Sequence, residues 1–552
     1  MSSEVRILGV NGQPLSRQVP GRAKMLAGGE RTAFDAAGTI GEHVEAWNPW
    51  LWSPDGERNL HRDRLAARAR DLVRNDGWAN GAITRILDNS VGGQFRPIFK
   101  PDYKALALRT GIKAFDATWA HEYSEVVAAN YRTWSDADGF YADAQRHNTV
   151  TQLMRLAFHH KLVDGDNLAQ VQWIPERISP GKARYGTAIQ LIDPDRLSNP
   201  YLQFDNDVMR GGVTIDRYGA ATGYYIRAAH QGDWWAGADS QRWDWIPKET
   251  AWGRPIIVHD FDPDRAGQHK GGAGIFTSVL TRMRMLAKMD GVELDAAVVN
   301  AMFGAYIESP YDHQLVEEAI GDEVTDDRLS NYQDQRIDFH AERKTMLGGV
   351  RIPTLFPGEK INAVASTRPN ANYMAFQNAF LRNFAQAAGI SPQQLSGNWS
   401  DVNYSSARAA SLEAYKTMGR RHYDFTMRTA TPLVGAWHEE SRAVDDYPLP
   451  AGAPVYGLFR SLYNRMHWMR PARGWVDPVA EKQGAILGMD AGLSTLQAEC
   501  AEQDLDWIET LEQRKREIDK LDELGIPKPQ WTGAPDPNQQ PANQVDKKPE
   551  AT

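Results

Sequence analysis

The sequence predicts an α+β chain, and three observations carry that prediction. Helical spacing in the first part of the chain gives way, after Asp164-Gly165, to short β-rich runs. Two strongly helical segments, the first within a proline-free interval from Pro263 to Pro310, flank an acidic stretch of mixed character. The C-terminal part reads as helical up to Pro527 and then becomes proline-rich. The 552 residues are 42% hydrophobic and 24% charged, ordinary globular proportions. At roughly 100–200 residues per domain, the length fits three or four folding units or one elongated body.

Charge and cysteine usage exclude several classes. Lys and Arg total 62 against 71 Asp and Glu, a net −9, which argues against a tight nucleic-acid clamp of the basic kind. The single cysteine, Cys500, cannot form an internal disulfide, a Cys-built zinc site or a CxxC redox pair, and it reads as a small buried apolar residue. No signal-peptide pattern opens the sequence and no uncharged apolar run is long enough to span a bilayer, so a soluble, intracellularly made chain without a membrane partner is expected.

Residues 1–45 mix Gly, Ser, Arg and Pro without sustained periodicity and read as an arm that only a partner would order. Two helices follow, one carrying Leu65, Ala69, Leu72 and Val73, the next Ala82, Ile83, Ile86 and Leu87, ending at Gly92-Gly93. Arg62, Arg64, Arg68, Arg70 and Arg74 give the first a basic face; phosphate or an acidic neighbour would suit it, but a solvated face is the favoured reading. Further helices are expected from Phe115 to Trp134 and from Thr149 to Asp164-Gly165. Strands then alternate with Asp-Pro and glycine turns, RYGA joining two of them as a hairpin. After the first long helix, seven acidic residues lie between Asp312 and Asp327, and the second helix repeats Tyr373, Phe376, Phe380 and Phe384 on one stripe, a core or helix–helix contact pattern. Gly389 ends it; a polar loop from Ser391 to Ser406 leads to another long helix, in which Pro432 should cause a kink.

No P-loop, HExxH or GxSxG motif is present. The best catalytic constellation is His259, Asp260, Asp262 and Asp264, whose spacing would suit a divalent metal for phosphodiester hydrolysis, although HDFDPD reads better as strand-end turn chemistry. Asp193 and Asp195 receive the same reading, and DGDN at Asp164 to Asn167 lacks the remaining ligands of a calcium loop. Adjacent His159 and His160 point to different helix faces. Trp234, Trp235, Trp243 and Trp245 read as core or subunit-contact residues rather than a stacking platform. No catalytic residue, metal or cofactor is assigned, and no enzyme is expected; a metal-dependent nuclease or hydrolase built on the HDFDPD acids is the alternative.

In their order, these segments resemble the lambda-type portal proteins of tailed bacteriophages, from about Ser53 to Asp504. RARDLVRNDGWANGAITRILDNSVGGQFRP resembles the family's opening block; LVDGDN, LIDPDRL and GVTIDRYGAATGYYI resemble its middle. The pattern HxFxxxRxGQ corresponds to His259, Phe261, Arg265, Gly267 and Gln268. FPGEKI, RPNANYMAFQNAFLRNFAQAAGISPQQLSG and DVNYSSARAA follow, with GWVDPVAEK leading to GLST. The stretch from Asp312 to His340 departs from the family's blocks.

The resemblance implies a portal fold assembled as a dodecameric ring at one capsid vertex, a virion component assembled in host cytoplasm. Its regions would be a flexible arm at 1–45, an α+β wing at 46–265, stem helices at 266–305 and 369–389, a clip at 306–368 and a tunnel loop at 390–406. A long kinked wing helix with its following segment at 407–475, a helical crown at 476–527 and a disordered tail at 528–552 would complete it. Implied partners are double-stranded DNA passing through the channel, terminase, a head–tail adaptor, the major capsid protein and scaffold. Asn398, Trp399, Asn403, Tyr404 and Arg408 would face the channel, and Glu317, Glu318, Asp322 and Glu323 would dock terminase and adaptor. Twelve copies would carry about 108 excess negative charges, which suits a conduit through which a polyanion must slide.

Overall fold

The computed structural model describes residues 51–272, 274–302, 373–400, 402–471, 478–503 and 507–526, with Trp47, Pro49, Leu505 and short pieces between 306 and 362. Six helices open the described chain: α1 (Pro54–Asn59), α2 (Arg62–Asn75), α3 (Gly77–Ser90), α4 (Tyr103–Thr110), α5 (Ala117–Ser135) and α6 (Val150–Val163). All of their starts but that of α2 are set by side-chain caps. Asp76 accepts the Ala79 amide at 2.9 Å, Asp116 accepts that of Trp119 at 2.8 Å, and Thr149 and Gln152 form a reciprocal capping box on α6.

The main core lies between α2, α3, α5 and α6 and the C-terminal half of a later interrupted helix. That helix consists of α10 (Tyr404–Phe425), a π-helical turn (Thr426–Ala430) and α11 (Thr431–Val444). The irregularity expected at Pro432 is this π turn, which widens the coil where the proline has no amide hydrogen to offer the Arg428 carbonyl. α5 buries Trp119, Tyr123, Val127, Tyr131 and Trp134 on one stripe, and Trp134 stacks on Trp437 of α11 with ring centroids 5.3 Å apart.

After α6, β2 (Asp166–Trp173) is the centre of an antiparallel sheet in the order β3-β2-β8, with β3 at Thr187–Ile192 and β8 at Ile257–Phe261. A four-stranded antiparallel sheet, β4 (Met209–Arg210), β5 (Val213–Ile215), β6 (Ala221–Arg227) and β7 (Trp243–Pro247), adds a smaller core of Leu197, Val213, Tyr224 and Ile226 against Leu168 and Ile257. The expected RYGA hairpin joins β5 to β6, with Gly219 at φ 81° and Asp216 accepting the Tyr218 and Ala220 amides. The tryptophans here are not core: Trp234, Trp235 and Trp245 are exposed, and Trp243 lies half-buried beneath the Arg227 guanidinium. β1 (Pro97–Phe99) pairs with the distant β13 (Met466–Trp468).

α7 (Leu280–Met302) and α8 (Tyr373–Ala388) form an antiparallel hairpin. Phe276, just before α7, stacks on Phe384; Arg282 donates to Asn383 at 2.9 Å; and the Tyr373 hydroxyl reaches Asp290. Only its base is buried, through Phe276, Val279, Met283, Leu286, Leu381, Phe384 and Ala388. Of the aromatic stripe expected on α8, Phe384 is core, while Phe376 is exposed. Beyond the base, β9 (Tyr306–Glu308) pairs with β12 (Lys360–Asn362), and β10 (Thr345–Leu347) with β11 (Val350–Ile352), inside the expected VRIPTLF strand. The remaining helices are α9 (Pro392–Ser396), α12 (Arg460–Tyr463), α13 (Pro478–Asp490), α14 (Leu496–Glu502) and α15 (Trp507–Glu523); Cys500 is buried, as expected.

The joint between the β-rich body and the α7–α8 hairpin is a glycine-rich strap, residues 268–275. A β-carbon on Gly271 would stand 2.0 Å from the Gly165 carbonyl oxygen, and one on Gly274 2.1 Å from that of Val163. Gly272, at φ 119°, would place one 2.2 Å from the Arg62 side chain. The strap therefore passes over the end of α6 at a distance that no other residue permits. Gly271→Ala is expected to lower stability by roughly 3 kcal/mol or more. Gly291→Ala, at an open site within α7, should raise it by about 0.5–1 kcal/mol. Thermal melts of the two variants check both signs.

Candidate functional site

The loop between α8 and α10 is shorter and more ordered than its sequence suggests. Gly389, at φ 69°, ends α8, and Ser391 immediately starts α9 through a capping box with Gln394 at 3.0 and 3.1 Å. Leu395 buries its side chain, and Gly397, at φ 67°, closes the turn. The non-helical loop is thus residues 397–403 rather than the whole of Ser391 to Ser406. Within it the Asn398 side chain accepts from the backbone and hydroxyl of Ser400, and Trp399 is 43% exposed. Asn403 caps α10 by accepting the Ser406 amide at 2.9 Å, and Tyr404 is the first helical residue. Arg408 stands in the next turn with its guanidinium 3.9 Å from Glu481 of α13, so it is directed toward another helix of its own chain. The structure therefore gathers Asn398, Trp399 and Asn403 on one short polar loop, puts Tyr404 at the helix start beside it and sets Arg408 apart. Glu317, Glu318, Asp322 and Glu323 lie outside the described residues.

HDFDPD does not gather its four groups around one point. His259 Nε2 lies 2.9 Å from Asp166; Asp260 is buried with both oxygens 3.0 Å from Lys161 Nζ and accepts from Thr429; and Asp264 pairs with Arg58. Asp260 and Asp262 do meet, but on Lys161, 3.0 Å from each, so an ammonium group stands where a cation would sit. Alternation along β8 turns His259 away from Asp260, because neighbouring residues face opposite sides of the sheet. Asp193, Asp195 and His230 do come within metal-ligand spacing of one another. Arg70 and Arg62, however, reach Asp195 at 2.6 and 2.9 Å, and Arg70 also bonds Asp193, so guanidinium groups stand where a cation would sit.

Sequence reasoning missed the polar knot that fastens the strap. Arg62 and Arg70, eight residues apart on α2, were part of a face read as solvated. Instead Arg62 is buried against Asp166 and Asp195, and Arg70 bonds Asp164 at 2.6 Å and Asp195. Arg62 and Arg70 meet acidic neighbours, whereas Arg64, Arg68 and Arg74 are exposed, as the solvated reading expected. Asp166 also accepts the Gly271 amide at 2.7 Å; His269 donates its backbone amide to Asp55, and its ring is paired with the same carboxylate; Lys270 Nζ is held by the Leu197 carbonyl. The signal was available in DGDN, an acidic turn one strand away from a Gly-Gly-x-Gly run, but neither half reveals its partner.

The knot fixes protonation states. Burial alone would raise Asp166, but the His259 hydrogen bond and the charges of His259, Arg62 and Lys270 outweigh it and hold the carboxyl at about 2. Burial likewise opposes, and Arg62 and Arg70 reverse, the shift of Asp195, which ends well below the usual range. Burial, reinforced by Arg62, brings Lys270 down to about 8. Asp260 goes the other way, raised by burial despite Lys161. Elsewhere in the core, burial lowers His438, bonded to Tyr123 and Asn464, and His422, bonded to the Ser90 carbonyl, each to about 4.

These directions set an acid response in two stages. A histidine held below its unfolded value of about 6.5 loses stability for the fold as pH falls from there to its folded value. Aspartates held below about 3.9 do the same at lower pH, toward about 2 for Asp166. Asp260, raised, acts in the opposite sense and only above about pH 3.9, so it offsets part of the first stage. Melting temperature should therefore fall between pH 6.5 and 4, then again below pH 4, and His438→Gln should flatten the first step. Calorimetric scans from pH 7.5 to 3 check both.

The sequence matches the family described as phage portal protein, lambda family, over residues 41–422. It is 32% identical to the portal protein of Escherichia phage N15 over 502 residues, covering 90% of this chain and 92% of that protein. It is 31% identical to portal protein B of Escherichia phage lambda over 500 residues, covering 90% and 91%. Among solved structures, a chain from the neck of the empty GTA particle computed with C6 symmetry overlaps 84% of this chain and 94% of its own, at 13% identity and a TM-score of 0.41, too distant to carry an argument. With the family matched over well over half of the residues and relatives above 30% identity aligned along nine-tenths of both partners, the chain belongs to the lambda family of phage portal proteins.

Proposed function

We propose that this portal protein works as a dodecameric ring at one capsid vertex, the channel through which terminase packages double-stranded DNA and from which DNA is ejected, and the platform that joins head to tail. The observation that carries the ring is the α7–α8 hairpin. Beyond its buried base, Met285, Val292, Leu294, Val298, Met374 and Phe376 are all 44% exposed or more, on helices that the described residues of their own chain leave uncovered. A heterologous contact repeated around a closed axis covers such faces on every copy, whereas an isolated chain leaves them wet.

In this reading 266–305 and 369–389 are the stem, 306–368 the clip, 476–527 the crown and residues 397–403 the tip of the tunnel loop. Asn398, Trp399, Asn403 and Tyr404 would offer neutral hydrogen bonds and aromatic bulk to passing DNA, which restrain a duplex without gripping it. Arg408 contributes there only if its pairing with Glu481 gives way. Glu317, Glu318, Asp322 and Glu323 would give the clip salt-sensitive docking to terminase and adaptor, with major capsid protein and scaffold around the wing.

Native mass spectrometry of the purified chain tests the ring: assemblies near twelve copies are expected at micromolar concentration and moderate salt, and monomer alone would overturn the reading. Within rings that still assemble, deleting Gly397 to Val402 should reduce genome retention. Neutralising the four clip acids should instead weaken terminase or adaptor binding; wild-type behaviour of either variant would reject that site.

A further inference from the structure

The loop that connects β3 to the four-stranded sheet displays apolar side chains in a way that an unoccupied surface does not explain. Tyr201, Leu202, Phe204 and Val208 are 74%, 84%, 90% and 64% exposed. Tyr201 and Leu202 also adopt positive φ, 52° and 58°, a backbone region that L side chains enter at a cost of order 1–3 kcal/mol each. The surroundings hold them there. Pro200 precedes them, the Tyr201 ring lies against Trp243 with centroids 5.3 Å apart, and Asp205 accepts from Asn199, Asn59 and the Gly211 amide. A strained turn that presents apolar groups to solvent is a surface built to be covered.

The position of the chain's own beginning indicates what covers it. α1 is fastened to this loop through the Asn59 to Asp205 hydrogen bond of 2.7 Å, and the backbone just before α1 is held by Arg265, which donates to the Trp52 carbonyl at 3.1 Å. Residues 1–46, outside the described structure, therefore join the fold beside the exposed loop. Their composition complements it. Residues 5–26 carry Arg6, Arg17, Arg22 and Lys24 with no acidic residue, interleaved with Ile7, Leu8, Val10, Leu15, Val19 and Leu26. The only charged residues in the loop at 199–208 are Asp205 and Asp207. The 24 residues from 27 to 50 form a tether whose root-mean-square reach, taken as flexible chain, is about 25–30 Å, enough to return to a loop next to its own origin at millimolar effective concentration.

We propose that the basic-apolar segment at residues 5–26 docks on the Tyr201–Val208 loop of its own chain, covering the strained turn and holding the arm against the wing. This contact is independent of ring formation and does not rest on the proposed function.

The test uses Phe204→Cys in the full-length chain, where the single native cysteine, Cys500, is buried. Maleimide labelling of position 204 should be on the order of tenfold slower in that chain than after removal of residues 2–46. It should be similarly faster in a full-length chain with Arg6, Arg17, Arg22 and Lys24 all changed to Glu, a variant that keeps the segment's length should the truncated chain fail to fold. Equal rates in the full-length and charge-reversed chains would overturn the inference. A double variant, Ile7→Cys with Phe204→Cys, separates the chain's own arm from a neighbour's. Oxidation should give a disulfide within one chain; a disulfide formed only between chains, tested with a mixture of the two single variants, would overturn the assignment to the same chain.

Discussion

The architecture depends on one buried carboxylate, Asp166, at the point where α6 turns into β2. It is fully buried and bound by charged or polar groups from three other parts of the chain: Arg62 of α2, His259 of β8 and the Gly271 amide of the strap. A buried ion pair of this kind adds little net stability over a well-packed apolar substitute, because both ions give up their hydration. What it supplies is position. Removing one partner leaves a charge with no solvent, at a cost of roughly 3–5 kcal/mol, so these elements must meet in one arrangement. The glycines make that arrangement narrow, since the strap lies against the Gly165 and Val163 carbonyls closer than any side chain would allow.

The consequence reaches both ends of the protein. On one side the strap runs directly into Phe276 and α7, so the orientation of the α7–α8 hairpin is inherited from the knot. On the other, Lys161 and Asp260 connect the same sheet to Thr429, inside the π turn, and Asn167 bonds that threonine at 3.1 Å. The π turn is where the helix that begins after the polar loop enters the core. The hairpin and that helix are therefore both referenced to two adjacent residues of one strand, Asp166 and Asn167.

Much of this fold was legible in the sequence, and the division between what was and was not has a physical basis. Local rules placed α3, α5 and α6, which Asp76, Asp116 and Thr149 cap, and the spacing of Leu65, Ala69, Leu72 and Val73 placed α2. The RYGA hairpin and the long α7 followed from equally local signals. Two readings failed in part, for different reasons. Arg62 and Arg70 of α2 read as solvated because their partners, Asp164, Asp166 and Asp195, lie more than 90 residues on. Ser391 to Ser406 read as loop because the five-residue helix α9 is too short for a periodic signal, although Ser391 and Gln394 spelled its capping box. The tryptophans at 234, 235, 243 and 245 read as core or subunit contact; in the chain by itself three of the four face outward, which leaves them outside its core.

The family resemblance came from the order of blocks, and it carried what periodicity could not, membership of the lambda family of portal proteins. The claim on which the physical account rests is that the knot clamps the α7–α8 hairpin to the β-rich body, and amide hydrogen exchange measures it directly. In native protein near neutral pH, the Gly271 amide, bonded to Asp166, and the Ile275 amide, bonded to the Leu162 carbonyl, should exchange only with global unfolding, as slowly as the core of α11. Asp166→Asn should speed both and, with them, the amides at the base of α7. Exchange of Gly271 and Ile275 at the rate of exposed turns in the unaltered protein would contradict the account.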